Sequence, residues 1–338
     1  MLAFDAGALL LALLVILAGA ELFTNAVEHV GQRYRLSQGL VGSVLAAVAT
    51  ALPETIVPIV AVFFGGASTT VVREHVGIGA ILGAPLMLAS VAMTLIAVFA
   101  GAKRGWREAL TPESSGLYRD LLYFLVAFLI TLLALFIPLQ QAAPRMLASA
   151  ALVFIYVIYV RNTVRASRFL VEQGHGTTAD APLLLARLRL RQTLGLEIAQ
   201  LVLSLALIIV GAKLFVHGVE QLAQLTGVGV LVLSLLIIPV ATEMPEKFNS
   251  ILWIRRRKDT LAFGNVTGAL VFQGTLLPAF GIQLGAWQAR SDMLLAMALT
   301  FAAVLWILFL GLSRRLKPLW LLPCGLAYVL MCALLTQV

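Results

Sequence analysis

Residues 19–54 read GAELFTNAVEHVGQRYRLSQGLVGSVLAAVATALPE, and residues 211–246 read GAKLFVHGVEQLAQLTGVGVLVLSLLIIPVATEMPE. The two stretches align without a gap at an offset of 192 residues (211 − 19), and 12 of the 36 aligned positions are identical. Each ends in V-A-T-x-x-P-E, which places a carboxylate, Glu54 or Glu246, inside an apolar run. A duplicated apolar unit that contains an acid is typical of secondary transporters, which bind their substrate where two repeats meet.

The composition predicts a membrane environment for the whole chain. Hydrophobic residues make up 61% of it and charged residues 12%, and the mean hydropathy is +1.00, values that exclude an ordinary soluble domain. Apolar runs long enough to cross a bilayer as helices occupy residues 6–30, 37–66, 75–101, 120–139, 143–161, 193–221, 227–254, 260–283, 292–312 and 317–336. The first run lacks a basic leader and is predicted to be a spanning helix, not a cleaved signal.

The net charge of +8 comes from the loops on one side of the membrane. With the N-terminus outside, the predicted topology puts 19 of the 24 Lys and Arg residues at the cytoplasmic face and three at the opposite face. This bias predicts a multi-pass protein of the cell (inner) membrane with both termini outside. The excess charge is therefore a topology signal and does not indicate nucleic-acid binding. The chain also has no G-x-x-x-x-G-K nucleotide loop, so we expect neither a nucleotide nor any other cofactor.

The spacing of the repeats predicts an inverted duplication. Five spans separate equivalent points, and an odd number reverses the direction of the chain. We therefore expect an all-α polytopic membrane protein of ten transmembrane helices in two inverted-topology five-helix repeats. The first repeat covers 1–161, with its α-repeat at about 37–90, and a cytoplasmic linker covers 162–192. The second covers 193–338, with its α-repeat at about 227–280.

The predicted cation site lies in helices 2 and 7, which proline breaks at the α-repeats. Pro53 and Pro245 remove a backbone donor and clash with the carbonyl four residues earlier, which frees carbonyls near Thr50 and Thr242. Each glutamate follows its proline directly, so the inverted repeats would bring two carboxylates and several carbonyls together near the midplane. Hard cations such as Ca2+ prefer such an all-oxygen site.

A second duplicated motif follows in helices 3 and 8: GAILGA at residues 79–84 and GNVTGA at residues 264–269. Its G-x-x-x-G spacing allows close helix packing against the broken helices. Asn265 and Thr267 add side-chain oxygens to the second copy, whereas the first copy has Ala80 and Leu82 at those positions. We expect Asn265 to be a site residue, with an interhelical hydrogen bond as the alternative, and Thr267 to be a candidate for coupling or gating.

With these motifs the chain resembles the sodium/calcium exchanger branch of the cation/Ca2+ exchanger superfamily, in which the α-repeats carry G-T-S-x-P-E and then G-N-x-x-G-S-N. The match spans nearly the whole chain. The resemblance implies Glu54 and Glu246 as the central metal ligands, the carbonyls of Thr50 and Thr242 beside them, and alternating access in which helices 1 and 6 slide across the rest.

The chain departs from the family pattern at several oxygen positions. The serine that helps to hold Na+ in the family is Ala51 in one copy and Glu243 in the other, and the first asparagine position is Ala80 in the first copy. The later serine and asparagine positions also lack oxygen side chains; they are Ala84, Pro85, Ala269 and Leu270. Much of the oxygen set that the family uses for several Na+ ions is therefore missing.

Three further charged groups lie near the predicted site or on the sliding helices. Glu243 and Lys247 are spaced i and i+4, so they either form a structural pair or leave Glu243 as a third acid suited to carrying protons, with Lys247 a candidate for coupling. Glu21 and Lys213 occupy equivalent positions with opposite charge. These two are either gate residues or groups solvated in a crevice.

The resulting prediction is a secondary active cation antiporter that is not an enzyme. It would move Ca2+ or a similar divalent cation in exchange for Na+ or H+, and monovalent cation/H+ exchange at the altered acidic site is the alternative. An intramembrane enzyme is disfavoured because no His/Glu pair or nucleophile beside a base is present. The expected partners are the lipid bilayer and inorganic cations, and the sequence gives no oligomeric state.

Overall fold

The structure is a computed structural model that describes residues 2–51, 81–226, 243–284 and 287–335. Regular structure in these ranges is helical apart from one isolated antiparallel bridge between Ser37 and Gly176. The helices, numbered in chain order, are α1 (Leu2–Arg33), α2 (Gln38–Ala51), α3 (Ile81–Arg104), α4 (Ser114–Ala134), α5 (Ala142–Glu172), α6 (Leu194–Thr226), α7 (Met244–Arg255), α8 (Asp259–Leu284), α9 (Ser291–Leu312) and α10 (Pro318–Leu334).

These helices confirm an all-α polytopic membrane protein. Seven of them are long and apolar enough to cross a bilayer, and α2 and α10 are shorter apolar helices. The breaks predicted in helices 2 and 7 fall partly outside the described residues, since the structure is described up to Ala51 in α2 and from Glu243 before α7.

Two helix boundaries differ from the prediction. The helix predicted for 143–161 continues to Glu172, so the first part of the predicted linker is helical. Hydropathy marks only the apolar part of this helix, but neither glycine nor proline interrupts the chain before Gly174. The last predicted helix, 317–336, is divided near Pro323 into Pro318–Leu321 and Cys324–Leu335, because proline removes a helical hydrogen bond.

The connection between α5 and α6 (residues 173–193, hereafter the linker) marks one end of the bundle, which we call the linker side. The linker is bound to α1: the Leu184 N–H donates to Asn25 Oδ1 at 3.0 Å, and His29 Nε2 lies 2.9 Å from the Ala181 carbonyl oxygen. The C-terminus of α3 and the N-terminus of α8 meet on this side, where Arg104 and Asp259 form a buried ion pair at 2.7 Å.

Helices α1 and α6 pack antiparallel through two equivalent glycines. A Cβ built on Gly19 would lie 2.8 Å from Ile208 Cγ1, and one built on Gly211 would lie 2.8 Å from Ile16 Cγ1. Both the glycines (211 − 19) and the isoleucines (208 − 16) differ by the repeat offset of 192. Such a reciprocal contact is what two repeats of inverted topology produce at their symmetry axis.

Helix α8 lies at the centre of the bundle and is the most deeply buried of the spans described. It packs against α2 through its duplicated glycines: a Cβ on Gly268 would lie 2.1 Å from the carbonyl oxygen of Ser43, and one on Gly264 would lie 3.2 Å from the Ser43 backbone nitrogen. Because glycine has no side chain, the two backbones touch here. This contact joins the two α-repeats.

Candidate cation site

The local sequence places Glu246 in the first turn of α7. Helix α7 begins at Met244, and Pro245 follows within the first two positions, where proline is tolerated because its missing N–H would have no helical partner. The free N–H groups of a first turn carry partial positive charge, which favours a negative side chain there. Pro245 therefore ends the preceding segment and presents Glu246 at the start of a new helix.

The Glu246 carboxylate is fully buried and stands out among the described residues for its lack of close hydrogen-bond donors. Its exposed fraction is 0%, and neither carboxylate oxygen has a hydrogen-bond partner in the part of the chain that the structure describes. Removing an ionised carboxylate from water without donors is among the costliest burials in a protein. A bound cation would neutralise such a group.

Asn265 on α8 lies directly beside the backbone of Glu246. Its Nδ2 donates to the backbone carbonyl of Glu246 at 2.9 Å and to Ser250 Oγ at 3.0 Å. These two bonds fix the amide, and its Oδ1 has no hydrogen-bond partner within the described ranges. Asn265 thus makes the interhelical hydrogen bond that was the alternative to a role in the site. Its Oδ1 is still available to accept from a ligand or to bind a cation.

The first repeat reaches this site through α2. Thr50 is buried and lies next to the Glu246 carboxylate, while its hydroxyl donates to the Ala46 carbonyl at 2.9 Å. Ala51, at the family's serine position, is fully buried and contributes no side-chain oxygen. The equivalent groups Glu54 and Thr242 lie outside the described residues.

Glu243 and Lys247 form the ion pair that their spacing allowed. Lys247 Nζ lies 3.3 Å from Glu243 Oε2, and both side chains are 2% exposed. The two partners flank Glu246 in sequence, three residues before it and one residue after it, and Lys247 balances the charge of Glu243. The extra acid that replaces the family's serine is thereby held by a cation of the protein's own.

The structure places Thr267 away from Glu246, in a second buried polar cluster. Two residues turn a helix by about 200°, so Thr267 faces the opposite side of α8 from Asn265. Thr267 and Ser43 each donate to Asp120 Oδ2 at 2.7 Å, and the Tyr159 hydroxyl donates to Oδ1 at 3.1 Å. Thr267 therefore joins α8 to α4, instead of adding an oxygen beside Asn265.

The two charges on the sliding helices differ in their surroundings. Glu21 on α1 forms an ion pair with Arg256 after α7, whereas Lys213 on α6 is exposed. Two helical turns further along α1 than Glu21, Glu28 accepts a hydrogen bond from Lys258 Nζ at 2.7 Å. Two acids of α1 are thus held by cations of the α7–α8 connection on the linker side.

Sequence analysis missed two buried polar residues, Asp120 and Asn249. Asp120 lies in an apolar helix and Asn249 in the apolar run predicted for 227–254, which was the available signal, but neither belongs to the duplicated pattern. Asn249 follows Glu246 by one turn, is 0% exposed, and has no hydrogen-bond partner for either amide atom in the described segments.

Comparison with known proteins agrees with the fold and the motifs. The family model described as sodium/calcium exchanger protein matches residues 4–164 and 196–337. The chain belongs to the sodium/calcium exchanger family. It is accordingly a membrane-embedded secondary cation antiporter, and members of this family are transporters and not enzymes.

Individual relatives cover nearly the full length of the chain. A protein named antiporter CaxA, from Alkalimonas amylolytica, is 27% identical over 318 residues, which are 91% of each chain. The inner membrane protein YrbG of Escherichia coli is 23% identical over 307 residues, 88% of this chain and 87% of YrbG. A solved structure of the sodium-calcium exchanger NCX_Mj superposes with a TM-score of 0.75 at 18% identity, covering 98% of this chain and 99% of that one. The structural match supports the same fold.

Proposed function

We propose that this antiporter exchanges Ca2+, or a similar divalent cation, for Na+ or H+, and that Glu246 is a central ligand of the transported cation together with Glu54. The observation that carries the proposal is the Glu246 carboxylate, which is fully buried and lacks a hydrogen-bond donor among the described residues. Asn265 Oδ1 and the backbone carbonyls of Thr50 and Thr242 complete an oxygen set of the kind that Ca2+ prefers.

The counter-ion is the property on which this chain is expected to differ from its family. Ala51 removes one of the two serine hydroxyls, and Glu243 replaces the other with a carboxylate that is paired with Lys247. Fewer neutral oxygens are left for Na+, and an acid next to the site can exchange a proton. Both ions therefore enter the test, and Glu243 and Lys247 are the residues proposed for proton coupling.

The proposed topology places the linker side in the cytoplasm of the cell and the chain in its inner membrane. The excess of basic residues on that side supports this orientation, and the name of YrbG states an inner-membrane location for that relative. We further propose repeats at 1–161 and 193–338, with residues 162–192 connecting them in the cytoplasm. In this arrangement, the pairs Glu21–Arg256 and Glu28–Lys258 hold α1 to the α7–α8 connection and must separate or move when α1 slides.

The proposal is tested with purified protein in proteoliposomes, in which Ca2+ uptake is driven separately by an outward Na+ gradient and by an outward H+ gradient. Uptake under at least one gradient is expected. Uptake with Na+ alone would mean that Na+ coupling survives the altered serine positions, and uptake with H+ alone would point to Glu243 or Lys247 as the replacement for Na+. Absence of Ca2+ uptake under both gradients would overturn the divalent assignment and favour monovalent cation/H+ exchange.

A further inference from the structure

Glu246, Asn249 and Trp253 follow one another along a single face of α7. Their spacings of three and four residues bring each side chain about one turn from the next. All three are 0% exposed. An asparagine amide offers two donor hydrogens and two acceptor lone pairs, and buried amides in folded proteins are almost always bonded. In the described part of the chain neither Asn249 Oδ1 nor Nδ2 has a hydrogen-bond partner.

The polar groups on either side of Asn249 differ in how well they are satisfied. Ser250, the next residue, is turned to α8 and accepts from Asn265 at 3.0 Å. Trp253, one turn nearer the linker side, donates from Nε1 to Glu28 Oε1 on α1 at 2.9 Å. Among the residues that the structure describes, the buried polar atoms of α7 without a hydrogen-bond partner are those of Glu246 and Asn249, which are neighbours on the face that ends at α1.

On the linker side of Asn249, a network of hydrogen bonds and ion pairs centred on Glu28 closes this face of α7. Besides the Trp253 bond, Glu28 accepts from Lys258 Nζ at 2.7 Å, and Lys258 also lies 2.8 Å from Asp180 Oδ2 in the linker. Asn249 thus stands between the Glu246 carboxylate, which has no donor among the described residues, and the hydrogen-bonded Glu28. An ion that leaves Glu246 along this face of α7 toward the linker side would meet Asn249 as the next polar side chain.

We infer that Asn249 Oδ1 is a ligand of the transported cation, one turn from Glu246 toward the linker side. The inference rests on the proposed function and adds to it an oxygen that lies outside the duplicated motif, since the equivalent position of the first repeat (249 − 192) is Val57. The ligand class is a hard cation that takes neutral amide oxygen beside carboxylate, as Ca2+ and Na+ do. With Asn249 included, the second repeat supplies more of the site's side-chain oxygens than the first repeat. Asn249 thereby compensates for the serine hydroxyl that is missing at Ala51.

The test compares thermal unfolding of the purified full chain in detergent across a Ca2+ titration, for wild type, Asn249→Leu and a matched control. The control is Asn162→Leu, because Asn162 is a membrane-helix asparagine that donates to Tyr123 Oη at 2.7 Å, outside the proposed site. We expect Asn249→Leu to unfold without Ca2+ at or above the wild-type temperature, since leucine removes an unpartnered amide. Its half-maximal Ca2+ concentration should rise about tenfold or more, while Asn162→Leu keeps the wild-type value.

A wild-type Ca2+ response in Asn249→Leu would overturn the inference and leave the proposed function standing. A wild type that neither Ca2+ nor Na+ stabilises would instead overturn the proposed function and the inference with it. If Asn249→Leu does not fold, the same titration is carried out with Asn249→Asp, because aspartate keeps the side-chain volume and the Oδ1 oxygen. The inference expects its half-maximal Ca2+ concentration to be at or below the wild-type value, and a loss of the response in that variant would contradict it.

Discussion

Replacing Gly268 with alanine tests the backbone contact that brings the two α-repeats together. The new Cβ would lie 2.1 Å from the Ser43 carbonyl oxygen, 2.4 Å from its Cα and 2.5 Å from its carbonyl carbon. A carbon–oxygen contact needs about 3.3 Å, so α2 and α8 must separate by roughly 1.2 Å (3.3 − 2.1). The obstructing atoms belong to the backbone, so no side-chain rotation relieves the clash.

The expected cost follows from two opposing effects. Overpacking of this kind costs about 1–3 kcal/mol, and the higher helix propensity of alanine returns up to about 1 kcal/mol. The middle of the resulting range is a net destabilisation of about 1–2 kcal/mol, which lowers the Tm of a 338-residue chain by roughly 1–3 °C when scaled from soluble domains. The displacement also moves Thr50 relative to Glu246, so Ca2+ transport in proteoliposomes should fall more than stability alone explains.

The duplicated motif supplies the control. Gly83 is the counterpart of Gly268 in the first repeat, and no described heavy atom lies within 4 Å of a Cβ built on it. Gly83→Ala should therefore leave the Tm unchanged or raise it slightly, with transport intact. Equal Tm values for the two variants in the same detergent would refute the claim that α2 and α8 meet backbone to backbone.

Two further predictions concern the groups that hold the bundle together. Lys258→Met leaves Glu28 buried without its cation and releases Asp180, so trypsin should cut the linker faster than in wild type; an unchanged cleavage rate would contradict the proposed hold of Lys258 on the linker. Asp120→Leu removes the acceptor of three hydroxyl groups and should cost about 1–3 kcal/mol. Asp120→Asn, which keeps an acceptor, should lower the Tm by less, and the reverse order would count against the cluster.

The membrane helices were readable from sequence because a bilayer demands long apolar runs, whichever residues supply them. Hydropathy placed the end of α5 at residue 161, where the apolar run ends. The helix continues through polar residues to Glu172, which hydropathy does not register. Hydropathy also merged the two parts of α10 across Pro323, because it does not register a missing hydrogen bond.

The candidate site was predictable only as far as the duplication reaches. Glu246 stands out because Glu54 repeats it, and Asn265 because its motif has a copy at residues 79–84. Asp120 and Asn249 have no repeated counterpart, so their importance shows only when burial and hydrogen bonding are known. Thr267 shares a motif with Asn265, but the helical turn between them sends the two side chains to different neighbours.

The most direct test of the account is Ca2+ transport by Glu54→Gln and Glu246→Gln in proteoliposomes, beside wild type at equal reconstituted amounts. Glutamine keeps the size and one oxygen of each side chain but removes the negative charge, so both variants should fold as wild type does, with an unfolding temperature at least as high in the absence of cations. Transport should be abolished in both. Wild-type transport by both variants would contradict the assignment of these carboxylates as the centre of the cation site.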